Sequence, residues 1–449
     1  MRTKLATLCM AMSISSAVAG PTVIPTVEGQ IGETLPAGDQ INGVRFEAMA
    51  GPPGSVFIGG LIDPSMAAME YNFTTDTMNT PRNPILRGFF SDPFAMIGPA
   101  RPGSAVNLNG DIVAFSFAVD GSMAETMQVR LQTFDQTGMQ WVDVPIDTVP
   151  TFPFPDTAVS QTNVAIDNMQ RTTVVFTEFA MGVPRVRAQR IDGLTGTPIE
   201  PAFTVNAAAL QPDIALLDPS GNRLIVPSIG PSGVQGNIVD FSGGTPVILP
   251  TFGVNTSTDP FLEGPVVSSN PTTGEFTIAW DAISGDSGNP VDVRARRFDA
   301  MGNPVGNDFV VNETTAGGQG QVGLATSPLN NHTMAVWASD QSSNPNSELD
   351  IFTRVFDANG NPITGEIQVN SDDQGSQDRP VVRFLPTTNS QGRPEAAVVW
   401  RDTEQGSATP RGTGVGYKCF SVGPTEFENI FADGFESGDT SSWCASPDP

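Results

Sequence analysis

Aspartate is the residue type through which this chain could do chemistry, since acidic residues number 48 against 22 lysines and arginines. Carboxylates bind hard cations, accept hydrogen bonds from ligands and serve as acids or bases in glycoside hydrolysis. We predict a binding site on one acidic face, formed by loops that carry Asp281, Asp286, Asp292, Asp340, Asp350, Asp372, Asp373 and Asp402. The alternative is that these are solvated loop charges that aid solubility. We expect no organic cofactor, and calcium is the one ion that such a face could use.

No catalytic residue is predicted. A protease triad needs a placed imidazole, and the chain has one histidine, His332, in the turn Asn330–Thr333. Zinc sites of the ordinary type are excluded because the chain has one histidine and no clustered cysteines. The string that starts at Asp357, Asp-Ala-Asn-Gly-Asn, lacks the further acidic ligands of a calcium loop and is explained as a turn.

The formal net charge of −26 disfavours nucleic acid and anionic membrane surfaces as partners. We therefore expect a protein or a glycan as the partner and a monomeric protein. Residues 1–19 have a charged start, an apolar stretch and Ala17-Val18-Ala19, which predicts a cleaved export signal. After it, no apolar stretch approaches the ~18–20 residues of a membrane-spanning helix. The predicted location is outside the cytoplasm: secreted, periplasmic or at the cell surface.

Two cysteines, Cys419 and Cys444, remain after the predicted cleavage. In an oxidising compartment they are expected to form a disulfide that tethers a C-terminal tail, residues 425–449. Two free thiols are the alternative.

A repeat must position these residues. Seven short apolar runs, each preceded by turn residues, end 50 to 63 residues apart at Ile58, Phe115, Phe176, Val226, Trp280, Trp337 and Trp400. A second series follows each of them by 15 to 20 residues, at Phe73, Phe134, Ile191, Phe241, Phe298, Phe356 and Phe420. Two series of landmarks that recur together at similar intervals along the chain indicate a tandem repeat.

Each repeat predicts four antiparallel strands, which we name A to D in chain order. Strand B ends at the first landmark, strand C ends at the second, and strand D runs to Val-Asn in three copies, as in Val311-Asn312. Turns such as Asp299-Ala-Met-Gly302 join C to D, with Asp binding its own backbone and Gly at positive φ.

Seven such units over residues 20–424 predict an all-β fold, a seven-bladed β-propeller of four-stranded antiparallel blades with the large strand-B side chains buried between blades. Tandem sandwiches need about 100 residues each, and a β-solenoid needs a shorter coil. Strand D of the last blade could come from residues 22–27 or from residues 426–431, and closure between the termini favours the former.

The pattern Arg-x-Phe-Asp-x-x-Gly-x-Pro, then Val-Asn, then Val-x-Trp, resembles the repeat of secreted bacterial propeller-type proteins that are mostly uncharacterised. The stretch from Ile430 to Trp443 is similar to a short tail of exported proteins from Gram-negative bacteria. The resemblance implies an exported propeller and assigns no activity.

Two function classes remain at the level of sequence. The first is a non-enzymatic exported binding or surface-associated protein of unknown ligand. The second is a propeller-type polysaccharide hydrolase or lyase with paired carboxylates, in which 48 acidic residues leave the pair unidentified. A carboxylate pair beside an arginine at the axis would favour the enzyme.

Overall fold

The computed structural model describes residues 22–31, 41–48, 55–62, 65–72, 77–79, 84–87, 103–110, 112–120, 126–135, 140–150, 157–180, 182–256, 259, 261–283, 291–341, 347–371, 375–388, 392–403 and 413–423. Every regular element in these ranges is a β-strand, so the all-β prediction is confirmed. No helix in the same ranges is long and apolar enough to cross a membrane.

The first strands of the chain are short and rich in Val, Ile, Phe and Thr, and Gly, Pro and Asn separate them. They are β1 (Thr22–Ile31), β2 (Ile41–Ala48), β3 (Ser55–Ile62), β4 (Ser65–Asn72), β5 (Thr77–Asn79), β6 (Pro84–Arg87), β7 (Gly103–Val106), β8 (Ile112–Asp120), β9 (Thr126–Asp135), β10 (Gln140–Pro150), β11 (Thr157–Ile166), β12 (Arg171–Ala180), β13 (Val183–Asp192) and β14 (Phe203–Asn206). The second half of the chain continues with β15 (Ala215–Leu216), β16 (Arg223–Gly230), β17 (Gly233–Asp240), β18 (Val247–Ile248), β19 (Phe252–Gly253), β20 (Phe261–Ser269), β21 (Phe276–Ile283), β22 (Asp292–Phe298), β23 (Pro304–Val310), β24 (Gln319–Thr326), β25 (Thr333–Ser339), β26 (Ser347–Phe356), β27 (Ile367–Gln368), β28 (Gly375–Thr388), β29 (Pro394–Thr403) and β30 (Thr413–Gly423).

Consecutive strands pair antiparallel into sheets of four or five strands. Five of these sheets have the orders β2-β3-β4-β5, β10-β9-β8-β7, β11-β12-β13-β14, β15-β16-β17-β18 and β20-β21-β22-β23, with β6 and β19 as additional strands. The remaining strands form one eight-stranded sheet. Within it, a short parallel contact that pairs Ser347 with Gly375 and Leu349 with Ser376 joins β24–β27 to the run β28-β29-β30-β1.

The N-terminal strand β1 completes this last run. It pairs antiparallel with β30 from Thr22, opposite Gly423, to Ile31, opposite Val415. This confirms the prediction that the fourth strand of the last repeat comes from the N-terminal segment rather than from residues 426–431.

The large side chains of the repeat lie between neighbouring sheets. Trp280, Trp337, Phe115 and Phe176 are fully buried, and Trp400 is 3% exposed. The hydrophobic clusters join residues of adjacent sheets; one of them brings Val175 and Val186 against Leu224 and Val226. Because burial of each large apolar side chain contributes about 1.5–3 kcal/mol, these sheets are stabilised mainly by their faces. The predicted inter-sheet position of the strand-B aromatic residues is confirmed.

Contacts continue from each sheet to the next. The strand β2 contacts β7 of the following sheet and also β28, β29 and β30 of the last antiparallel run. The first strand of each unit, strand A, is β2, β7, β11, β15, β20, β24 or β28, and these strands make many of the contacts between units.

Candidate functional site

A central cavity lies between the A strands. Its volume is about 330 Å³, and residues of β7, β11, β15, β20, β24 and β28 line it. Its polar lining side chains are Ser104, Asn163, Asp213, Ser268, Ser269, Gln321, Thr326, Arg379 and Arg383. A concave cavity of this size with a few polar groups is the usual form of a small-molecule or oligosaccharide site.

Five of the A strands, β11, β15, β20, β24 and β28, have a residue of positive φ within the strand or just before it. These residues are Gln161, Gln211, Gly264, Gln321 and Arg379, with φ between 47° and 59°. In four of them the register of pairing with strand B shifts at that residue, which marks a β-bulge. A left-handed conformation costs a non-glycine residue about 1–3 kcal/mol. Surrounding contacts must therefore hold the backbone of the four non-glycine residues in place.

Hydrogen bonds between neighbouring units supply that support. The Gln211 side-chain oxygen accepts from the Gly264 N–H at 2.8 Å, and the Gln321 side-chain oxygen accepts from the Arg379 N–H at 2.7 Å. Gln211 and Gln321 thus each bind the left-handed backbone position of the next unit. The N–H of Gln211 itself donates to the Thr177 hydroxyl at 3.1 Å.

Asp281, the first of the predicted binding residues, takes part in the same relay. Gly264 has no side chain to reach the next bulge, and the Asp281 carboxylate of β21 accepts instead from the N–H groups of Gln321 at 2.7 Å and Val322 at 3.3 Å. Asp281 therefore joins two units through their backbone.

Asp292 and Asp350 occupy equivalent places near the beginnings of their C strands. Asn312 donates to Asp292 at 2.8 Å and accepts from the Val293 N–H at 2.9 Å. Asn370 donates to Asp350 at 2.7 Å and accepts from the Ile351 N–H at 2.7 Å. Asn312 and Asn370 of the Val-Asn motifs are therefore clamps between strands D and C, a role that the sequence did not predict.

The same backbone clamp recurs in the unit of β15–β18, where Asn255 accepts from the Val234 N–H at 2.9 Å. Here Gly233 precedes Val234, so the unit has no aspartate at the position of Asp292 and Asp350. Val254-Asn255 is thus a further copy of the Val-Asn motif, which the repeat pattern in the sequence did not reveal.

Asp350 and Asp402 are brought together in one buried network. Asn370 contacts both Asp350 and the Gln377 side-chain oxygen, at 2.7 Å and 3.4 Å, and Gln377 donates to Asp402 at 3.1 Å. Asp350 is fully buried and Asp402 is 5% exposed. This network spans the parallel contact between β26 and β28.

The predicted placement of the eight aspartates in loops is wrong for four of them. Asp281, Asp292, Asp350 and Asp402 lie within β21, β22, β26 and β29, because their carboxylates close hydrogen bonds at strand ends. Asp340 lies after β25 and accepts from the Gly318 N–H at 2.7 Å. Asp286, Asp372 and Asp373 lie outside the described residues. The binding face itself stays a prediction.

Asp213 is a cavity residue that sequence analysis missed. It follows Pro212 at the start of a unit, accepts from the Asn163 side-chain amide of the preceding unit, and accepts from the Val267 N–H of the following unit at 2.7 Å. The available signal was its place between Pro212 and the apolar run of strand A.

The two best-matched C–D turns are closed by aspartate as predicted. Asp357 accepts from the N–H groups of Asn359 and Asn361, both at 2.8 Å, and Gly360 has φ 85°. Partial burial opposes ionisation here. The hydrogen bonds from Asn361 and Asn359 outweigh it and hold the pKa of Asp357 below its usual value. The carboxylate is thus committed to the turn, as the sequence indicated.

His332 is half-buried at the turn between β24 and β25. Burial lowers the pKa of its imidazole, and the nearby Asp357 carboxylate acts in the opposite direction. Its Nδ1 lies 3.2 Å from the Asn330 side-chain amide.

Within the described ranges, no group of three or more His, Cys, Asp or Glu side chains is arranged to hold a metal ion. Calcium binding by the acidic loops remains a prediction, since three of the eight aspartates lie outside those ranges. Cys419 is fully buried on β30, and Cys444 lies outside the described residues, as do residues 1–19 and 425–449. The disulfide, the export signal and the tail therefore stay predictions.

Comparison with known proteins finds similar structures but no similar sequence family. No protein-family model matches the chain, and no curated protein matches it. Among solved structures, the Penicillium chrysogenum α-L-arabinanase complexed with arabinobiose is 12% identical with a TM-score of 0.49, over 88% of this chain and 98% of that one.

Two further similar structures are a glycosidase and a propeller. The Fusarium graminearum GH93 α-L-arabinofuranosidase in complex with arabinobiose is 10% identical with a TM-score of 0.45, over 89% of this chain and 98% of that one. The Dos1 propeller is 13% identical with a TM-score of 0.43, over 85% of this chain and 77% of that one. At these identities and TM-scores the comparison assigns no activity to this chain.

Proposed function

We propose that the chain forms a seven-bladed β-propeller that takes a polysaccharide chain into the cavity at its axis. Division of the eight-stranded sheet at its short parallel contact leaves seven antiparallel units, the number of repeats in the sequence. The contacts of β2 with both β7 and β28 support a closed ring, and so does the pairing of β1 with β30.

The proposal that the ligand is a polysaccharide rests on the cavity. Its volume of about 330 Å³ suits a few sugar residues, and its wall offers hydroxyl, amide, carboxylate and guanidinium groups. Such a mixture of donors and acceptors matches the hydroxyl groups of a glycan. Export of the protein, which we also propose, would bring it to extracellular or envelope polysaccharide.

Hydrolysis or lyase cleavage of that chain is favoured by Asp213, a carboxylate in the cavity wall, with Arg379 and Arg383 in the same wall. Glycoside hydrolysis needs two carboxyl groups, about 5–5.5 Å apart for retention or about 6.5–9.5 Å apart for inversion. Asp213 is the one carboxylate among the described lining residues, so the second would come from the rest of the chain.

Binding without cleavage is favoured by the hydrogen bonds that Asp213 already makes. One oxygen accepts from Asn163 and the other from the Val267 N–H. Both contacts leave the carboxyl suited to hold neighbouring units together.

The test is a glycan array with neutral and acidic polysaccharides, followed by an assay for new reducing ends and unsaturated products on each glycan bound. Enzymatic activity predicts product from the wild type and none from Asp213→Asn, at a matched folded fraction by circular dichroism. Retention of glycans without product supports the binding protein. Absence of binding to every glycan would overturn the proposed function.

We also propose that the mature protein is a monomeric member of the secreted bacterial propeller-type repeat proteins, with Cys419 joined to Cys444. Mass spectrometry of the exported protein tests both points. Cleavage after Ala19 and a mass 2 Da below that of the reduced form are expected, because a disulfide removes two hydrogens. Retention of residues 1–19, or two alkylatable thiols, would contradict them.

Calcium binding at the acidic face is tested by calorimetry and thermal unfolding. Binding to the folded state raises the melting temperature with calcium concentration. Neither heat nor a rise in melting temperature would exclude calcium as a ligand.

A further inference from the structure

One of the left-handed positions associated with the A strands differs chemically from the others. Gln161, Gln211 and Gln321 are neutral amides and Gly264 has no side chain, whereas Arg379 is a cation in the same left-handed conformation, with φ 54°. Backbone strain that a protein maintains at a cavity is a common mark of a functional position. Arg379 is therefore the first residue in which to look for ligand specificity.

The hydrogen bond between Gln321 and the Arg379 N–H fixes the orientation of the Gln321 side chain, which lines the same cavity as Arg379. Because its side-chain oxygen accepts from the Arg379 N–H at 2.7 Å, its amide nitrogen is held on the other branch of the planar group. That nitrogen makes no hydrogen bond to the described residues, and both Gln321 and Arg379 line the cavity. Two neighbouring side chains thus offer N–H donors at one side of the cavity.

The charge of the cavity wall is opposite to that of the chain. The whole chain carries −26, yet the described lining residues include two arginines, Arg379 and Arg383, and a single carboxylate, Asp213. Asp213 is already bound by Asn163 and Val267. A positive site in an acidic protein selects an anionic group, and the planar guanidinium matches a carboxylate.

We propose that Gln321 and Arg379 bind the carboxylate of a uronic acid residue, so that the ligand is an acidic polysaccharide. The inference rests on the proposed function and narrows its ligand class. In this arrangement the guanidinium and the Gln321 amide donate to the sugar carboxylate, and the rest of the cavity contacts its hydroxyl groups.

The chain itself suggests the variant that tests this. Arg379→Gln removes the charge and installs the residue that adopts the same left-handed bulge at Gln161, Gln211 and Gln321, so the backbone is expected to keep its conformation. Arg223→Gln removes the same charge at the opposite end of its sheet, beside the turn to β16, and is the matched control.

Calorimetric titration with oligogalacturonate and alginate oligosaccharides, against neutral arabinan and xylan oligosaccharides, gives the readout. A hydrogen bond to a charged group contributes about 1.5–3 kcal/mol, so Arg379→Gln should weaken binding of the acidic oligosaccharides about 10- to 100-fold. Arg223→Gln should bind as the wild type does.

A second variant tests the amide. Gln321→Glu keeps an oxygen for the Arg379 N–H but replaces the donors with a negative charge, and it should abolish acidic binding at unchanged melting temperature. Equal affinity of the wild type and Arg379→Gln for acidic oligosaccharides would overturn the inference. So would binding of neutral oligosaccharides alone, which would leave the proposed function intact. Absence of binding to any oligosaccharide would overturn both.

Discussion

Aspartates serve different purposes at the two ends of these sheets. At the C–D turns, the backbone groups that Asp357 binds lie within four residues of it. At the ends where the A strands begin, Asp281 binds the N–H groups of Gln321 and Val322, which lie 40 and 41 residues away in the next unit. The Asp357 carboxylate is therefore bound within its own turn, whereas the Asp281 carboxylate joins two units.

The largest expected effect follows from Asp281→Ala. It removes the charged acceptor of two backbone N–H groups, and we expect a loss of about 3 kcal/mol in the free energy of unfolding. Urea denaturation followed by tryptophan fluorescence measures it. Asp281→Asn keeps one acceptor and should lose less. A change below about 1 kcal/mol in Asp281→Ala would show that the units are not joined here.

Asn370→Ala tests the clamp at the same end of the sheets. It leaves the buried Asp350 without the amide donor at 2.7 Å, and the Ile351 N–H without its acceptor. We expect a loss of about 2 kcal/mol in urea denaturation. The paired substitution Asn370→Ala with Asp350→Ala should cost less than the sum of the two single changes, because the contact is then lost only once. Additive effects would argue against the clamp.

Asp357→Ala should have a smaller effect, about 1 kcal/mol, because the turn is solvated and lies within one unit. Its folded-state pKa lies below the usual 3.8, so its ionised form stabilises the fold at higher pH. That stabilisation is present above the unfolded pKa and is lost as the pH falls through the folded pKa.

Melting temperatures between pH 2 and pH 6 provide the check, with a shallower acid decline in Asp357→Asn than in the wild type. Asp299→Asn, in the equivalent turn, is the parallel variant, since hydrogen bonds from Asn303 and the turn backbone outweigh burial and lower its pKa. An unchanged acid decline in both variants would contradict the local role of these carboxylates.

His332→Gln is expected to have the smallest effect. Burial holds the folded-state pKa of His332 below the usual 6.5, so the folded protein binds the proton less readily than the unfolded chain. Its contribution is therefore constant above pH 6.5 and becomes destabilising as the pH falls below that value. Because the chain has no other histidine, the variant should flatten the stability profile between about pH 5 and pH 7. A profile identical to that of the wild type would show no such linkage.

Features that depend on a short segment of the chain could be predicted from the sequence. Trp337 and Phe356 end apolar runs bounded by turn residues, and both are buried. Asp299 and Asp357 precede Gly at the spacing of a self-bonded turn. The period of the landmarks predicted the number of strands in each unit because every strand carries its own apolar pattern and turn signals.

The cavity could not be predicted in this way. A left-handed glutamine has no local signal, and Gln211 and Gln321 are held in this conformation by hydrogen bonds to the units on both sides. Asp213 likewise bonds Asn163 and Val267, each 50 or more residues away. The aspartates that were singled out are numerous, and the sequence does not distinguish a carboxylate that binds backbone from one that binds a ligand.

The pairing of β1 with β30 sets an order of assembly. Of the described strands, Thr22–Ile31 is made first, and its partner, Thr413–Gly423, is made last. The units between them can form from near neighbours in sequence, but this ladder forms only after all the other described strands have been made and closes the longest loop among the described strand pairs. A nascent chain stopped before residue 413 would hold an unpaired β-edge at its beginning, open to association with other chains.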